Sequence, residues 1–344
     1  MDPMLRRRLG KTPITLTQMG FGGAPLGNLF KRVAEGDAEG ALEQALAAGL
    51  AYFDTAPLYG HGLSEERMGK ALARAPRQSI VVSTKVGRLL VPAPSTAKGG
   101  KVEGGNFIDV PPLAISYDYS HDGALSSLEA SLKRLRLDRI DILYIHDIDR
   151  FTHGADEQPR RFRQAMEGAY PALARLRADG TVGAIGLGVN EWQVCQQAAE
   201  AADFDCFLLA GRYTLLEQEA LETFLPLCER RGIGIVIGGP YNSGILATGP
   251  VAGATYNYAP APPAILERAR RLGEVCAEHK VPLAAAALQF PLSHPAIASV
   301  IPGARSPKEV EDNLKLMRHP IPGALWRDLK SAGLLHADAP TPTV

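Results

Sequence analysis

The 344-residue chain has no surplus of either charge: Lys+Arg and Asp+Glu both number 37, so the formal net charge is zero. A balanced chain gives no electrostatic reason to expect nucleic acid or an anionic membrane as partner. Cysteine is scarce. Cys195, Cys206, Cys228 and Cys276 are the only four, and none forms a CxxC pair. That argues against a disulfide framework or a zinc ribbon and predicts buried thiols in a reducing compartment. Aromatic residues make up only 6%. No apolar stretch reaches the roughly 18 residues needed to cross a bilayer. The basic start, Met1 to Gly10, runs into Lys11-Thr12-Pro13 rather than an apolar segment, so no signal peptide is expected. Together these absences predict a cytoplasmic protein with no metal site, no nucleic-acid partner and no membrane partner.

What is present is an ordinary globular composition, 46% hydrophobic and 22% charged, with 35 Gly and 26 Pro marking many loops. Short β-branched runs alternate with longer amphipathic ones. Eight strand–helix units start at Met19, Tyr52, Ile80, Ile140, Val182, Cys206, Ile233 and Ala298. Eight such units predict an α/β chain of (β/α)₈ TIM-barrel type. No Pro/Ser/Gly-rich linker divides it, so residues 1–344 are expected to form one domain. Helices are expected over Ser64 to Ala73, capped by Ser64, and over Glu191 to Ala201, behind an Asn190–Gln193 capping box. Another is expected over Arg163 to Ala178. Arg6–Leu9 and Ile14–Thr17 flank Gly10-Lys11-Thr12-Pro13 and predict a β-hairpin plugging the N-terminal end of the barrel. Gly87 to Tyr119 is too long for an ordinary βα connection. It reads as an irregular wall of the catalytic end, made mobile by Gly99-Gly100 and Gly104-Gly105.

In this fold chemistry sits at the C-terminal ends of the strands. The second run ends at Asp54 with Tyr59 just beyond, the third at Lys85, the fourth at His146 and the fifth before Asn190. Any one of these has an ordinary structural explanation. Three successive strand ends carrying such residues are harder to explain that way. A phenol titrates near 10, too high for a base at neutral pH. An ammonium nearby, Lys85, is expected to lower it, with Asp54 holding Lys85 charged and aimed. His146 is then placed to orient a substrate oxygen, and Tyr59 to exchange a proton at a carbonyl or carbinol. A Schiff-base lyase built on Lys85 is the rival from another enzyme class. It leaves Tyr59 unexplained.

Phe53-Asp54-Thr55-Ala56-Pro57-Leu58-Tyr59-Gly60-His61-Gly62-Leu63-Ser64-Glu65 closely resembles the signature of the aldo-keto reductases. Thr84-Lys85-Val86-Gly87, Leu143-Tyr144-Ile145-His146-Asp147, Gly188-Val189-Asn190 and Val300-Ile301-Pro302-Gly303-Ala304-Arg305 follow in that family's order. The resemblance spans nearly the whole chain. It implies a barrel that binds NAD(P) across its mouth, with Tyr59 as acid/base completed by Asp54, Lys85 and His146.

For the cofactor, the resemblance assigns Asn190 to the carboxamide and Gly22 and Gly23 to the nicotinamide ribose. Gly238, Pro240, Tyr241 and Gly244 fall on the following loop, and Pro302, Gly303, Arg305, Glu309 and Asn313 at the adenosine end. Two positions depart from the family pattern. Ala210 stands where a Gln is usual, and Gly238 where an aromatic residue often stacks on nicotinamide; Tyr241 is the candidate substitute. Gly303 and Glu309 replace the basic residues of NADP-preferring relatives, so NAD is the preferred cofactor and NADP a possible one. Further stretches resemble the aldose 1-dehydrogenases acting on L-fucose, L-galactose or D-arabinose, and the pyridoxal 4-dehydrogenases. The expected partner is therefore a small sugar, turned over by a monomer or homodimer. Asn106, Asp109, Tyr117 and Asp118 are candidates for its polar wall. A pyridoxal pocket is expected to be more apolar and aromatic.

Overall fold

The computed structural model describes residues 1–93 and 106–342. Gly99-Gly100 and Gly104-Gly105 lie outside the described residues. The chain opens with β1 (Arg6–Arg8) and β2 (Thr15–Thr17), paired antiparallel, then β3 (Phe21–Gly22), β4 (Tyr52–Asp54) and β5 (Val81–Val86). Next come β6 (Arg88–Pro92) and β7 (Leu113–Tyr117), β8 (Ile142–His146), β9 (Ala184–Val189), β10 (Cys206–Ala210) and β11 (Gly234–Gly238). A two-residue pair, β12 (Thr255–Tyr256) and β13 (Ala259–Pro260), and β14 (Ile297–Ile301) complete the set.

Eight of these form one parallel sheet in the order β14-β11-β10-β9-β8-β5-β4-β3. It closes on itself. Gly20 donates its N–H to Val300, Gly22 to Pro302, and Met19 and Gly22 bridge in parallel to Val300 and Gly303. Helices connect the strands and pack on the outside, so the chain is a closed (β/α)₈ barrel, as the eight-fold rhythm predicts.

Alternation along each strand splits the core in two. Outward side chains join the helices in a large apolar layer. Inward ones, among them Tyr52, Ile142, Tyr144, Ala184, Cys206, Val236 and Ile301, fill the barrel. Leu9 and Leu16 of the hairpin are fully buried in that same inner cluster. The hairpin tip is pinned where Lys11 donates its N–H to the Gly232 carbonyl, just before β11, so it plugs the N-terminal end. All four cysteines are buried and free. No helix among the described residues is long and apolar enough to cross a membrane.

Several local expectations are corrected. Ser64 does not cap its helix, which runs Leu63–Leu72 from a left-handed Gly62. Its hydroxyl is buried, donates to the Gly23 carbonyl at 2.7 Å and meets Thr55 Oγ1 at 2.9 Å. It ties two strand-end loops together. The helix Trp192–Ala201 starts at Glu191 with no side-chain cap, because Asn190 is drawn to the barrel mouth. The helix expected from Arg163 to Ala178 is the end of a longer helical run: Arg150–Gln164, broken at Gly154 (φ +72°), then a π-turn at Ala165–Ala169 and Tyr170–Ala178. The polar, Gly- and Pro-containing first turns hid its apolar period. The segment after β5 is not wholly irregular: β6 and β7 pair in register from Arg88–Tyr117 to Pro92–Leu113.

Candidate active site

The barrel floor fixes an ion pair. Lys85, at the end of β5, places Nζ 2.9 and 2.8 Å from the two oxygens of Asp54 and 2.8 Å from the Thr55 carbonyl. All three ammonium protons are therefore used, with both side chains buried. A committed, fully hydrogen-bonded ammonium is a poor nucleophile, which counts against Schiff-base chemistry at this lysine.

Tyr59 rises above this pair on the loop after β4. Gly60 turns the chain behind it at a φ of +65°, and a Cβ there would sit 2.4 Å from the Gly27 carbonyl, so only glycine fits. The Tyr59 ring lies between Phe107 and His146, with centroids 6.1 and 6.0 Å away, and Lys85 Nζ is 4.7 Å from its centre. The expected lowering of the phenol by Lys85 is not what this arrangement gives. Burial, and then the charge of Asp54, push Tyr59 well above its ordinary value. Lys85 is neutralised by Asp54, so little of its charge reaches the phenol. Tyr59 is protonated at neutral pH.

His146 ends β8. Burial, with Arg88 and Lys85 nearby, holds it well below the usual imidazole range, so it is neutral. Its Nε2 lies 3.2 Å from Asp147 Oδ2, and its Nδ1 is buried without a protein partner. Tyr119, packed under Gly87, sets this strand end by bringing its hydroxyl 2.9 Å from the carbonyls of both His146 and Asp147. Asp147, at a left-handed φ of +47°, is the hub of a second buried group. It accepts from Arg88 Nη2 at 2.5 Å and from Asn190 Nδ2 at 3.2 Å. Burial raises its carboxyl to about 6. Arg88 also stacks on Tyr117, 5.0 Å from the ring centre, and donates to its hydroxyl.

These groups wall a cavity of about 270 Å³. Of the sequence-expected residues, Tyr59, Lys85, His146, Asn190, Asn106 and Tyr117 line it, as does Ala210. Asp54 supports it from behind Lys85. Asp109 faces solvent near Arg32 and Asp118 caps the turn at Ser120, so neither belongs to the wall. Arg88 and Asp147 are wall residues that the sequence reading missed. Phe107, Phe151 and Tyr258 add an aromatic face.

The expected dinucleotide residues form a neighbouring group across β3, β11 and β14. Gly22 and Gly23 are fixed by N–H bonds to the Pro302 and Asp54 carbonyls, and Gly303 bridges Gly22. Gly238 ends β11, and Pro240 follows it. Tyr241 does not turn toward the nicotinamide end: its hydroxyl donates to Asn313 at 2.7 Å. Gly244 donates back to the Tyr241 carbonyl. Ser306 caps the helix Pro307–Arg318, accepting from the Glu309 N–H, while Glu309 accepts from the Arg305 N–H at 2.7 Å. The buried polar atoms without protein partners include His146 Nδ1 at the end of β8, Asn242 Oδ1 after β11 and Arg305 Nε after β14. Unsatisfied donors and acceptors beside a capped helix N-terminus suit an extended, phosphate-bearing dinucleotide.

A closed barrel with a tyrosine, a lysine–aspartate pair and a neutral histidine at its mouth defines an oxidoreductase of the barrel type. The chain belongs to the aldo/keto reductase family, whose model matches residues 18–333. It is 43% identical to a pyridoxal 4-dehydrogenase from Microbacterium luteolum, over 96% of this chain and 98% of that one. It is 40% identical to a D-threo-aldose 1-dehydrogenase from a Pseudomonas species, over 96% of each. Among solved structures, an aldo-keto reductase from Bacillus halodurans in its holo form superposes with a TM-score of 0.71 at 25% identity, over 98% of both chains.

Proposed function

We propose that the chain is an NAD(P)-dependent aldose 1-dehydrogenase. It would oxidise the anomeric hydroxyl of a sugar of the L-fucose, L-galactose or D-arabinose type to the lactone. The observation that carries this reading is the cavity itself, where Tyr59 and His146 face a polar edge made by Arg88, Asp147, Asn190 and Asn106. A polyhydroxylated ring needs such donors and acceptors, since each buried hydroxyl left unpaired costs binding. The aromatic face suits the C–H side of the same ring.

In this reading Tyr59 exchanges the proton of the anomeric hydroxyl. His146, on the cavity wall, orients that hydroxyl. Lys85 and Asp54 fix the charge beneath Tyr59. Bound nicotinamide supplies the hydride acceptor, and its positive ring favours the phenolate needed for oxidation. Asn190 holds the carboxamide, with Gly22, Gly23 and Gly238 lining the ring's approach. Pro240, Tyr241, Gly244, Pro302, Gly303, Arg305, Glu309 and Asn313 hold the adenosine half. Glu309 faces a free 2′-hydroxyl better than a 2′-phosphate, which favours NAD over NADP.

A second reading, oxidation of the pyridoxal hemiacetal, is favoured by Tyr59, Phe107, Tyr117, Phe151 and Tyr258 around one cavity. Aromatic residues are only 6% of the chain, yet five of them line this one cavity. Absorbance at the reduced-nicotinamide band separates the two. NAD and NADP are offered separately with L-fucose, L-galactose, D-arabinose and pyridoxal. Reduction of NAD by a sugar is expected. Turnover with pyridoxal alone transfers the assignment, and no turnover with any pair rejects both.

Asp147 gives this site a pH dependence. Ionised, it holds Arg88 and Asn190; its carboxyl titrates at about 6, so protonation releases both as pH falls. KM for the substrate is expected to rise as pH drops through about 6, and this limb is expected to vanish in Asp147→Asn. Steady-state kinetics between pH 4.5 and 8, on variants shown to be folded by circular dichroism, check it.

A further inference from the structure

Alternation places the residue two before each strand-end group directly below it on the same face. Below Asp54 stands Tyr52, below Lys85 stands Ser83, and below His146 stands Tyr144. All three are fully buried inside the barrel. They are joined: Ser83 Oγ lies 2.7 Å from Asp54 Oδ1, Tyr52 Oη 3.0 Å from Ser83 Oγ, and Tyr144 Oη 3.4 Å from Tyr52 Oη. The proton order in this ladder is fixed by its top. An ionised carboxylate only accepts, so Ser83 donates to Asp54, Tyr52 donates to Ser83 and Tyr144 donates to Tyr52.

We propose that Ser83 is a positioning residue which, aligned by Tyr52 and Tyr144, keeps Asp54 ionised and aimed at Lys85 beneath Tyr59. The proposal rests on the role of the Asp54–Lys85 pair given above. The need is physical. Asp54 is almost without solvent, and its desolvation outweighs the attraction of Lys85, so its carboxyl lies above the ordinary range. The titratable groups facing it are Lys85, Tyr59, Tyr52 and Tyr144. The three phenols are all pushed up by burial, so they remain protonated, and Tyr52 and Tyr144 can serve as donors. Lys85 supplies the only positive charge among these groups. A charge-assisted hydrogen bond from Ser83 adds a second interaction that favours the ionised carboxylate. Each further hydroxyl polarises the one above it.

The experiment is a series, Ser83→Ala, Ser83→Thr, Tyr52→Phe and Tyr144→Phe, read two ways. The first readout is melting temperature against pH, which needs neither cofactor nor turnover. Asp54 is harder to ionise in the folded state than in the unfolded one, so its ionisation opposes folding. Loss of Ser83 raises the folded carboxyl further. The added loss of stability is therefore small below the unfolded carboxylate range and grows as pH rises through the folded one. Ser83→Ala is expected to show this widening gap, Tyr52→Phe a smaller one and Tyr144→Phe the least, with Ser83→Thr restored toward wild type.

The second readout is the acid limb of kcat, expected to move up by about one pH unit in Ser83→Ala, a tenfold change in the ionisation constant. A gap that is the same at every pH, or no rescue by threonine, would reduce Ser83 to a packing residue and overturn the proposal. If wild-type protein shows no nicotinamide turnover, the functional reading fails while the melting series still decides the role of Ser83.

Discussion

Tyr59→Phe is expected to lower kcat by about 10²–10⁴-fold, the usual weight of a general acid–base group. Dinucleotide affinity is expected to stay within about twofold, because the carboxamide and adenosine contacts are made elsewhere. The substitution removes one oxygen and keeps the ring between Phe107 and His146, so the cavity keeps its shape. Tyr59 is a wall phenol that burial keeps protonated, and its ring lies 6.0 Å from that of the neutral His146. The wall cations do not replace it: Arg88 is tied to Asp147 and Tyr117, and Lys85 to Asp54 and Thr55. Stopped-flow turnover together with dinucleotide titration by fluorescence checks both halves. Retention of more than a tenth of wild-type kcat would remove Tyr59 from the chemistry.

Lys85→Met is expected to damage both stability and rate. It strands the Asp54 carboxylate in a site without solvent, and breaking one side of a buried pair costs about 3–5 kcal/mol. The loss in kcat is expected to be about 10²–10³-fold, the scale of removing one preorganised electrostatic group. The double variant Asp54→Leu/Lys85→Met separates the two effects. Replacing a buried pair with apolar side chains of similar volume is often neutral or stabilising, so melting temperature should return while turnover does not. Recovery of turnover in the double variant would show that the pair is structural only.

The parts legible in sequence were those the barrel sorts by position. Asp54, Tyr59, Lys85 and His146 stand where strands end, and that rule needs no knowledge of packing. The hairpin plug was legible for the same kind of local reason. Other residues depended on contacts distant in sequence. Ser64 and Asn190 carry good helix-capping chemistry, yet Ser64 is claimed by Gly23 and Thr55, and Asn190 by Asp147. The fate of Tyr241 was set by Asn313, 72 residues away in sequence. Arg88 looked like an ordinary loop residue until β6 and β7 paired and brought it to Asp147. Lys85 was expected to tune Tyr59, but its protons are already spoken for. Tyr52, Ser83 and Tyr144 had a readable signal, the two-residue step below the strand-end groups, although nothing in the one-dimensional pattern says that three strands share one layer.

The most direct test of the central account follows the hydride. A substrate carrying deuterium at the hemiacetal carbon is incubated with the enzyme and oxidised nicotinamide dinucleotide, and the products are read by NMR. Direct hydride transfer predicts deuterium at C4 of the reduced nicotinamide and one equivalent of lactone, both formed about 10²–10⁴-fold more slowly with Tyr59→Phe. Lactone formed with the label lost to water, or the label transferred equally well by the variant, would contradict it.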